Sequence, residues 1–265
     1  MMTPILMLGA GRMGGAILEG WTRAGAFTAA DLIIVDPYPS EAALAAAAAG
    51  ARLNPPDADL AAARTVILAV KPQKWLEAAG QFASWLSADA VIVSIAAGVS
   101  SRDISREFGG RVTARVMPNT ACAINQGTMS LYADDPAALA RAHALFEPLG
   151  TVVDLTDENQ IHAATAVAGS GPAYLYAFVE SLEAAGAAAG LPAADASRMA
   201  RSTVIGAAAL LAQTGEEPSE LRRQVTSPAG TTEAALNVLL GEHGLPPLLR
   251  DAVARAMRRS KELGG

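Results

Sequence analysis

The stretch that decides the fold is Ile5-Leu-Met-Leu-Gly9-Ala-Gly11-Arg-Met-Gly14. Its first four residues form an apolar run typical of a buried strand, and the glycine pattern that follows opens a helical pattern. In this arrangement Gly9 makes the tight turn, Gly11 lets the backbone approach a pyrophosphate, and Gly14 lets the helix pack closely on the strand. The stretch therefore predicts a dinucleotide-binding turn. The alternative is a packing turn that binds nothing.

The first half of the chain alternates short β-branched runs with helical patterns. This order predicts parallel pairing and right-handed crossovers, and hence a doubly wound α/β sheet of the Rossmann type. The predicted strands are Ile5–Leu8, Leu32–Val35, Val66–Val70, Val91–Ile95 and Val112–Met117, and the predicted helices are Met13–Ala24, Ala42–Ala48, Leu76–Leu86 and Ser101–Phe108. Two later runs, Thr128–Tyr132 and Thr151–Asp154, could add edge strands around a helix over Ala137–Leu149.

After Asp154 the sequence predicts helices throughout, with a flexible glycine pair at Gly169-Ser-Gly171 inside or before a helix and a kink at Pro172. We therefore predict a boundary near residue 155, with a dinucleotide-binding Rossmann domain over 1–155 and an all-helical domain over 156–265. No disordered tail is expected other than the two residues Gly264–Gly265. The predicted helices are Glu158–Ala189, Ala193–Thr214, Ser219–Gln224, Thr231–Leu240 and Pro247–Leu263, with Gly190, Gly215 and Gly241 at C-cap positions.

Composition excludes several classes of function. The chain has 265 residues, a net charge of −6 and 5% aromatic residues, which argues against binding of nucleic acid. Its longest apolar stretches are broken within roughly ten residues, short of the ~20 that a membrane span requires. The single cysteine, Cys122, excludes an internal disulfide and a thiolate zinc site, so no metal is predicted and a cytoplasmic location is expected. The apolar surplus, largely alanine, favours subunit contacts.

An acidic residue ends the second predicted strand. Asp36 follows Gly14 by 22 residues (36 − 14), where a carboxylate would accept a hydrogen bond from a ribose 2′-hydroxyl and repel a 2′-phosphate. This spacing favours tolerance of NADH. A turn aspartate before Pro37 is the alternative, and Arg12 and Arg52 could still offset a phosphate charge.

Five further segments stand where predicted strands and helices end: Ala69-Val-Lys-Pro-Gln73, Ser94-Ile-Ala-Ala-Gly98, Arg115-Val-Met-Pro-Asn-Thr120, Ala168-Gly-Ser-Gly-Pro-Ala-Tyr174 and Val225-Thr-Ser-Pro-Ala-Gly-Thr-Thr232. Together with the glycine turn, this set resembles pyrroline-5-carboxylate reductase over nearly the whole chain and in the same order. The last two segments are the most specific to that family.

The resemblance implies a Rossmann domain and a helical dimerisation domain with the active site between them, and an assembly that is at least a homodimer. It implies hydride transfer from NADPH or NADH to the C5=N bond of Δ1-pyrroline-5-carboxylate, the last step of proline biosynthesis. The residues expected to bind the cofactor are Gly9, Gly11, Arg12, Met13, Gly14, Asp36, Ala69, Val70, Lys71, Pro72, Ala96, Ala97, Gly98, Pro118 and Asn119.

The same resemblance places the substrate carboxylate on the Ser-Pro-x-Gly-x-Thr segment. The residues expected to bind substrate are Ser170, Pro172, Ser227, Gly230, Thr231 and Thr232, and among these Ser227 and Thr232 are expected to act in catalysis. The sequence independently favours this chemistry. A helix N-terminus that carries two hydroxyls suits a carboxylate, although ordinary N-capping is the alternative.

The sequence also fits the modest proton demand of imine reduction. An imine nitrogen can be protonated before hydride transfer, so the pocket mainly has to orient the ring and hold its acid group. The chain has only three lysines and three histidines, which are Lys71, Lys74, Lys261, His143, His162 and His243. None of them lies in the segments Ala168–Tyr174 and Val225–Thr232.

The chain departs from the family pattern at several positions. Ala168 replaces the usual Ser, Ala229 the usual Gly, and Ala121 the usual Pro, while His162 stands where Asp is common. A Ser or Arg that suits phosphate is common near Asp36. The methyl group of Ala229 could narrow the carboxylate site or shift a backbone N–H, and the effect of these changes is open.

Three alternative functions share parts of the pattern. A β-hydroxyacid dehydrogenase uses a catalytic Lys on its interdomain helix, but no Lys occurs between Lys74 and Lys261. A deazaflavin-dependent NADP reductase does not explain the Ser-Pro-x-Gly-x-Thr segment. A non-catalytic dinucleotide-binding scaffold would bind cofactor without turnover. Activity on six-membered cyclic imines is a further open possibility.

Overall fold

The first part of the chain forms an eight-stranded sheet in the computed structural model, which describes residues 2–263. The expected α/β class is confirmed. The strands lie in the order β3-β2-β1-β4-β5-β6-β7-β8, parallel from β3 to β6, with β7 antiparallel to β6 and β8 parallel to β7. They are β1 Ile5–Leu8, β2 Leu32–Val35, β3 Arg52–Leu53, β4 Thr65–Leu68, β5 Val91–Ser94, β6 Thr113–Met117, β7 Gly127–Tyr132 and β8 Gly150–Asp154.

Every strand predicted from the sequence is present, including the two optional edge strands β7 and β8. The third predicted strand ends at Leu68 rather than Val70, because Ala69 and Val70 leave the sheet toward the turn at Lys71. The two-residue strand β3 was not predicted, since so short a run has no detectable periodicity.

Helices pack on the sheet and follow it in the chain. They are α1 Arg12–Ala24, α2 Glu41–Ala48, α3 Trp75–Phe82, α4 Ser101–Glu107, α5 Pro136–Phe146, α6 Gln160–Ala164, α7 Gly171–Ala188, α8 Ala193–Thr214, α9 Pro218–Gln224, α10 Thr231–Leu239 and α11 Leu245–Glu262. Helices α1, α2 and α5 pack on one face of the sheet, and α3 and α4 pack on the other. The remaining helices follow β8. No helix in the described part of the chain combines the length and hydrophobicity that a bilayer crossing requires.

The prediction of one helix over Glu158–Ala189 is wrong. α6 passes into a π-helical turn over Thr165–Gly169, and α7 starts at Gly171. Pro172 lacks the N–H that would continue the first helix, so the chain starts a new one. The predicted cap at Gly241 is also displaced, because α10 ends one residue earlier and Leu240 is its C-cap.

Two apolar clusters hold the sheet, one on each face. Along β1 the side chains alternate, so that Ile5 and Met7 join one cluster while Leu6 and Leu8 join the other. All four are essentially inaccessible to solvent. Burial on both faces is the expected environment for parallel strands, and it leaves the carboxyl edge of the sheet as the place where polar groups can gather.

By contacts, the chain forms two units: Met1–Ser170 with Arg255–Gly265, and Gly171–Ala254. The division predicted at residue 155 stays a prediction, since these units divide the chain at other points. The first unit holds the sheet, α6 and the end of α11, and the second holds α7 to α10 and the start of α11. The expected tail Gly264–Gly265 lies outside the described residues.

Candidate active site

The glycine turn after β1 shows why three glycines stand there. Gly9 has φ +92°, and a Cβ on it would lie 2.8 Å from the carbonyl oxygen of Ala69. A Cβ on Gly14 would collide with the carbonyl oxygen of Gly9. A Cβ on Gly11 would meet no atom within 4 Å. The chain itself therefore requires Gly9 and Gly14, whereas Gly11 leaves free space that a bound group can use.

The first turn of α1 presents unpaired backbone donors beside that space. Its N-cap is Gly11, which has no side chain to cap the helix, and the first turn contains no acidic residue. An open cavity of about 630 Å³ borders Gly11 and Arg12, with Ser40 and Thr120 on its sides. Free N–H groups at a helix N-terminus favour phosphate. The turn thus fits a dinucleotide pyrophosphate.

Asp36 is tied into this turn by its own hydrogen bonds. One carboxylate oxygen accepts from the backbone N–H of Ala10 at 2.5 Å, and the other accepts from that of Tyr38 at 2.7 Å. The Asp36 backbone also pairs with the Asn54 carboxamide at 2.9 Å in both directions. Asp36 therefore makes the contacts expected of a turn aspartate, and its carboxylate lies beside the glycine turn. That Asp36 also contacts the cofactor ribose stays a prediction.

The other expected cofactor residues follow strands β4, β5 and β6 at the same edge of the sheet. Ala69 directly follows β4, and its N–H donates to the carbonyl of Leu8 at 2.8 Å. The N–H of Ala96 donates to Ser94 Oγ at 3.2 Å, which folds the loop after β5 back on the strand end. Because β1, β4, β5 and β6 are parallel, their following loops share one edge: Ala69–Pro72, Ala96–Gly98 and Pro118–Asn119 lie there with Gly9–Gly14.

The carboxamide of Asn119 forms hydrogen bonds within the protein. Its Oδ1 accepts from the N–H of Ala121 at 3.1 Å and from that of Thr128 at 3.4 Å, and its Nδ2 donates to the carbonyl of Ala168 at 3.1 Å. The loop after β6 is thereby joined to the π-helical turn that precedes Ser170. That Asn119 lies near the cofactor remains a prediction.

An ion pair between the buried Arg115 and the half-buried Glu158, which the sequence did not predict, holds the start of α6. Arg115 Nη1 lies 3.1 Å from Glu158 Oε1, and the same carboxylate accepts from the N–H and the hydroxyl of Ser101 at 2.6 and 3.0 Å. Burial lowers the pKa of Arg115, while the charge of Glu158 opposes that shift. The sequence feature that could have indicated this ion pair is a charged residue, Arg115, within the mostly apolar strand β6.

His162, one of the departures from the family pattern, lies beside this pair. Its Nδ1 is 3.0 Å from the hydroxyl of Ser260, which is buried in the last turns of α11. Burial lowers the pKa of His162, and the charges of Arg115 and Lys261 lower it further, while Glu158 raises it. Neutral His162 is thus the form that suits the folded chain.

This depressed pKa predicts a pH dependence of stability. The unfolded chain takes up a proton on His162 near pH 6.5, before the folded chain does, so stability is lost as pH falls below about 6.5 and levels off below the folded-state pKa. We expect the urea midpoint to fall between pH 7.5 and 5.5, and to fall less in His162→Gln. An equal fall in both chains would exclude His162 as the cause.

The segment expected to bind the substrate carboxylate lies in the second unit, before α10. Gly230 is the N-cap of α10 and provides no side-chain cap, so the N–H groups of Thr231 and Thr232 face outward from the helix end. The N–H of Gly230 donates to the carbonyl of Ser227 at 3.1 Å, and a Cβ on Gly230 would lie 2.5 Å from Ser227 Oγ. The turn therefore brings the Ser227 hydroxyl to the N-terminus of α10.

The backbone of Ala229 adopts a conformation that favours glycine at this position. It has φ +56°, in the left-handed region, and its N–H donates to Glu233 Oε2 at 2.8 Å. An alanine there costs about 1–2 kcal/mol relative to glycine. The departure strains the turn but leaves its hydrogen bonds in place.

Ala229→Gly is expected to stabilise the chain. Removing the strain outweighs the added freedom of the unfolded chain, about 0.4–1 kcal/mol, so the net gain is about 0.5–1 kcal/mol. Chemical denaturation measures it. Ala234→Gly in the helical part of α10 is the control and should cost about 1 kcal/mol. A loss of stability in Ala229→Gly would contradict the strained geometry.

The comparisons with known proteins agree with both halves of this description. Residues 158–263 match the family model "Pyrroline-5-carboxylate reductase dimerisation", and residues 4–98 match the model "NADP oxidoreductase coenzyme F420-dependent". A pyrroline-5-carboxylate reductase of Pseudomonas aeruginosa is 38% identical over 269 residues, covering 99% of this chain and 98% of that protein.

Solved structures give the same result. A pyrroline-5-carboxylate reductase of Coxiella burnetii aligns with a TM-score of 0.89 and 28% identity over the full length of both chains. A pyrroline carboxylate reductase of Plasmodium falciparum, determined with NADP bound, has a TM-score of 0.85 and 23% identity over 99% of this chain and 98% of that one, which supports the fold.

Proposed function

This chain belongs to the pyrroline-5-carboxylate reductase family, and we propose that it reduces Δ1-pyrroline-5-carboxylate to L-proline with the residues described above. Two features, one in each unit, support the assignment of roles. One unit presents a glycine turn with free space at Gly11, and the other presents a helix N-terminus with three adjacent hydroxyls, those of Ser227, Thr231 and Thr232.

The helix N-terminus before α10 holds the substrate carboxylate. The N–H groups of Thr231 and Thr232 and the positive end of the α10 dipole favour an anion. The hydroxyls of Ser227 and Thr232 can donate to the two carboxylate oxygens, and Gly230 keeps the approach free of a side chain. Ser170 and Pro172 are proposed to border the ring, and Ser170 offers a half-buried hydroxyl.

The first unit orients the hydride donor. The dinucleotide supplies a hydride to the C5=N carbon when bound. Gly9–Gly14 hold its pyrophosphate, and the loops after β4, β5 and β6 border the rest of it. The substrate nitrogen is protonated before transfer, so the chain needs no lysine or histidine at the reacting atoms; none occurs in the segments Ala168–Tyr174 and Val225–Thr232.

NADPH is the cofactor expected for the family, and we propose that NADH is also accepted. The Asp36 carboxylate, fixed by Ala10 and Tyr38, keeps a negative charge beside the turn where a 2′-phosphate would lie. Arg12 lies beside the same turn and offsets part of that charge. A kcat/KM for NADPH more than tenfold above that for NADH would contradict tolerance.

A homodimer, or a ring of dimers, is proposed for the assembly. The match to a dimerisation model covers the helical part of the chain, and the helices of the second unit expose many large apolar side chains. These include Leu175, Tyr176, Met199, Ile205, Val238 and Leu248. We place the protein in the cytoplasm, because its one cysteine, Cys122, is buried and free.

The direct test is NAD(P)H oxidation followed at 340 nm with Δ1-pyrroline-5-carboxylate, with proline identified as the product. Turnover with this substrate and none with 3-hydroxy acids in the reverse direction is the expected result. Cofactor binding without turnover would indicate a scaffold instead. The rate with a six-membered cyclic imine carboxylate, assayed in parallel, shows how selective the pocket is for ring size.

A further inference from the structure

We propose that Asn119 is a positioning residue for the substrate side of the reaction, acting through the peptide group of Ala168 rather than by contact of its carboxamide with the cofactor. This inference rests on the proposed function. It assigns to the Asn119 side chain the task of holding the turn that presents Ser170.

The carboxamide of Asn119 is committed on both sides. Asn119 is 8% exposed, its Oδ1 accepts from the N–H groups of Ala121 and Thr128, and its Nδ2 donates to the carbonyl of Ala168. An acceptor already shared by two backbone donors has little capacity for a third. The oxygen is therefore occupied by the protein, and one of the two N–H donors of Nδ2 is directed at the Ala168 oxygen.

The Ala168 carbonyl needs a donor from outside its own helix. In a continuous α-helix its donor would be the N–H of residue 172, but Pro172 has none. This partly buried carbonyl would otherwise lack the donor that a continuous α-helix supplies, and an unsatisfied polar group costs more free energy the further it is removed from water. Asn119 Nδ2 supplies the missing donor at 3.1 Å.

The same bond fixes the direction of Ser170. The chain passes through a π-helical turn over Thr165–Gly169, and the N–H of Ser170 donates back to the carbonyl of Thr165 at 2.9 Å. Asn119 holds the peptide two residues before Ser170, while Thr165 holds Ser170 itself. π-Helical turns inside helices are frequent at functional sites because they re-aim side chains. Here the turn leaves the Ser170 hydroxyl without a hydrogen-bond partner among the described residues.

A second contact fastens the other end of the same segment. Glu158, just before α6, is held by Arg115 and by Ser101. Residues 158–170 are thus attached at one end to Ser101, the first residue of α4, and to Arg115 in β6, and near the other end to Asn119 in the loop after β6. A shift of the loop after β6 would be transmitted through Asn119 to the Ser170 turn, and a displacement on the order of 1 Å costs as much as 100-fold in rate.

Two substitutions remove the Ala168 bond while keeping the local turn. Asn119→Ser retains a side-chain oxygen that can accept from the Ala121 N–H but is too short to reach Ala168, and Asn119→Asp retains both acceptor contacts but has no donor. Asn125→Asp is the matched control, since Asn125 Nδ2 donates to the carbonyls of Gly20 and Pro148 at 2.8 and 2.9 Å.

We expect both Asn119 variants to lower kcat/KM for Δ1-pyrroline-5-carboxylate on the order of 10- to 100-fold, with the NADPH Kd, measured by fluorescence titration, changed less than about threefold. Asn125→Asp should lower the melting temperature without lowering kcat/KM below that temperature. If Asn119→Asp does not fold, Asn119→Ser decides alone, and if neither folds, Asn119→Gln should keep the fold and show the same split with a smaller loss.

Two results would overturn the proposal. A rise in NADPH Kd as large as the fall in kcat/KM would place the carboxamide on the cofactor. Unchanged kinetics in a folded Asn119→Ser would leave it without a role in the reaction. A wild-type chain that binds NADPH but does not reduce the imine would instead reject the proposed function.

Discussion

Replacing Thr232 with alanine is expected to raise the KM for Δ1-pyrroline-5-carboxylate about 10- to 100-fold, with the KM for NADPH changed less than about threefold. A hydrogen bond to a charged group contributes about 1.5–3 kcal/mol, which corresponds to that range. Thr232 lies at the N-terminus of α10, where the helix end has no cap and its donors are free. Steady-state kinetics with each substrate varied in turn measures the split.

Thr226→Ala is the matched control for this prediction. Thr226 lies in the same loop, but its hydroxyl donates to the carbonyl of Arg222 at 2.6 Å and so is already used by the chain. Its removal should leave both KM values unchanged. Equal increases in both KM values for Thr232→Ala would mean that the substitution disturbs the whole protein rather than the carboxylate site.

The second large effect is expected at the glycine turn. Gly11→Ala should raise the Kd for NADPH at least about tenfold, a loss of about 1.4 kcal/mol, while the melting temperature stays unchanged. The added Cβ meets no atom of the chain within 4 Å, and the φ of Gly11, −70°, lies outside the left-handed region that favours glycine. The only group it can obstruct is the one that approaches the backbone from outside, the pyrophosphate.

Gly14→Ala provides the contrast. Its Cβ would press against the carbonyl oxygen of Gly9, so the expected result is a loss of stability of about 1–3 kcal/mol or more. Titration of NADPH and thermal melting of both variants separate the two roles. A destabilised Gly11→Ala with normal cofactor affinity would contradict the assignment of Gly11 to the cofactor.

The architecture was predictable because buried strands carry a strong local signal. Runs such as Ile5–Leu8 and Leu32–Val35 match the structure residue for residue, since parallel strands buried on both faces are continuously apolar. A kink at Pro172 was predicted, but the π-helical turn before Ser170 was not, because the apolar pattern continues across it. Only Pro172 marked the place, and a proline in a helical pattern predicts a kink as readily as a new helix.

The site was predictable in part. Motif spacing predicts Gly9–Gly14 and the segment before α10 as binding segments, and in the structure Gly9, Gly14 and Gly230 each stand where a Cβ would collide with the chain. The contacts of Glu158 with Arg115 and Ser101, and of Asn119 with Ala168, join residues 43 to 57 positions apart. No local pattern encodes such pairings, so they follow only from the way the loops meet at the carboxyl edge of the sheet.

We propose that the N-terminus of α10 holds the substrate by its acid group. A crystal structure of the enzyme with NADPH and a non-reducible cyclic analogue of proline tests it most directly. We expect the carboxylate of the analogue within hydrogen-bond distance of the Thr232 N–H and of the Ser227 or Thr232 hydroxyl. A carboxylate bound by lysine or arginine side chains elsewhere, with the Ser227–Thr232 turn free, would contradict it.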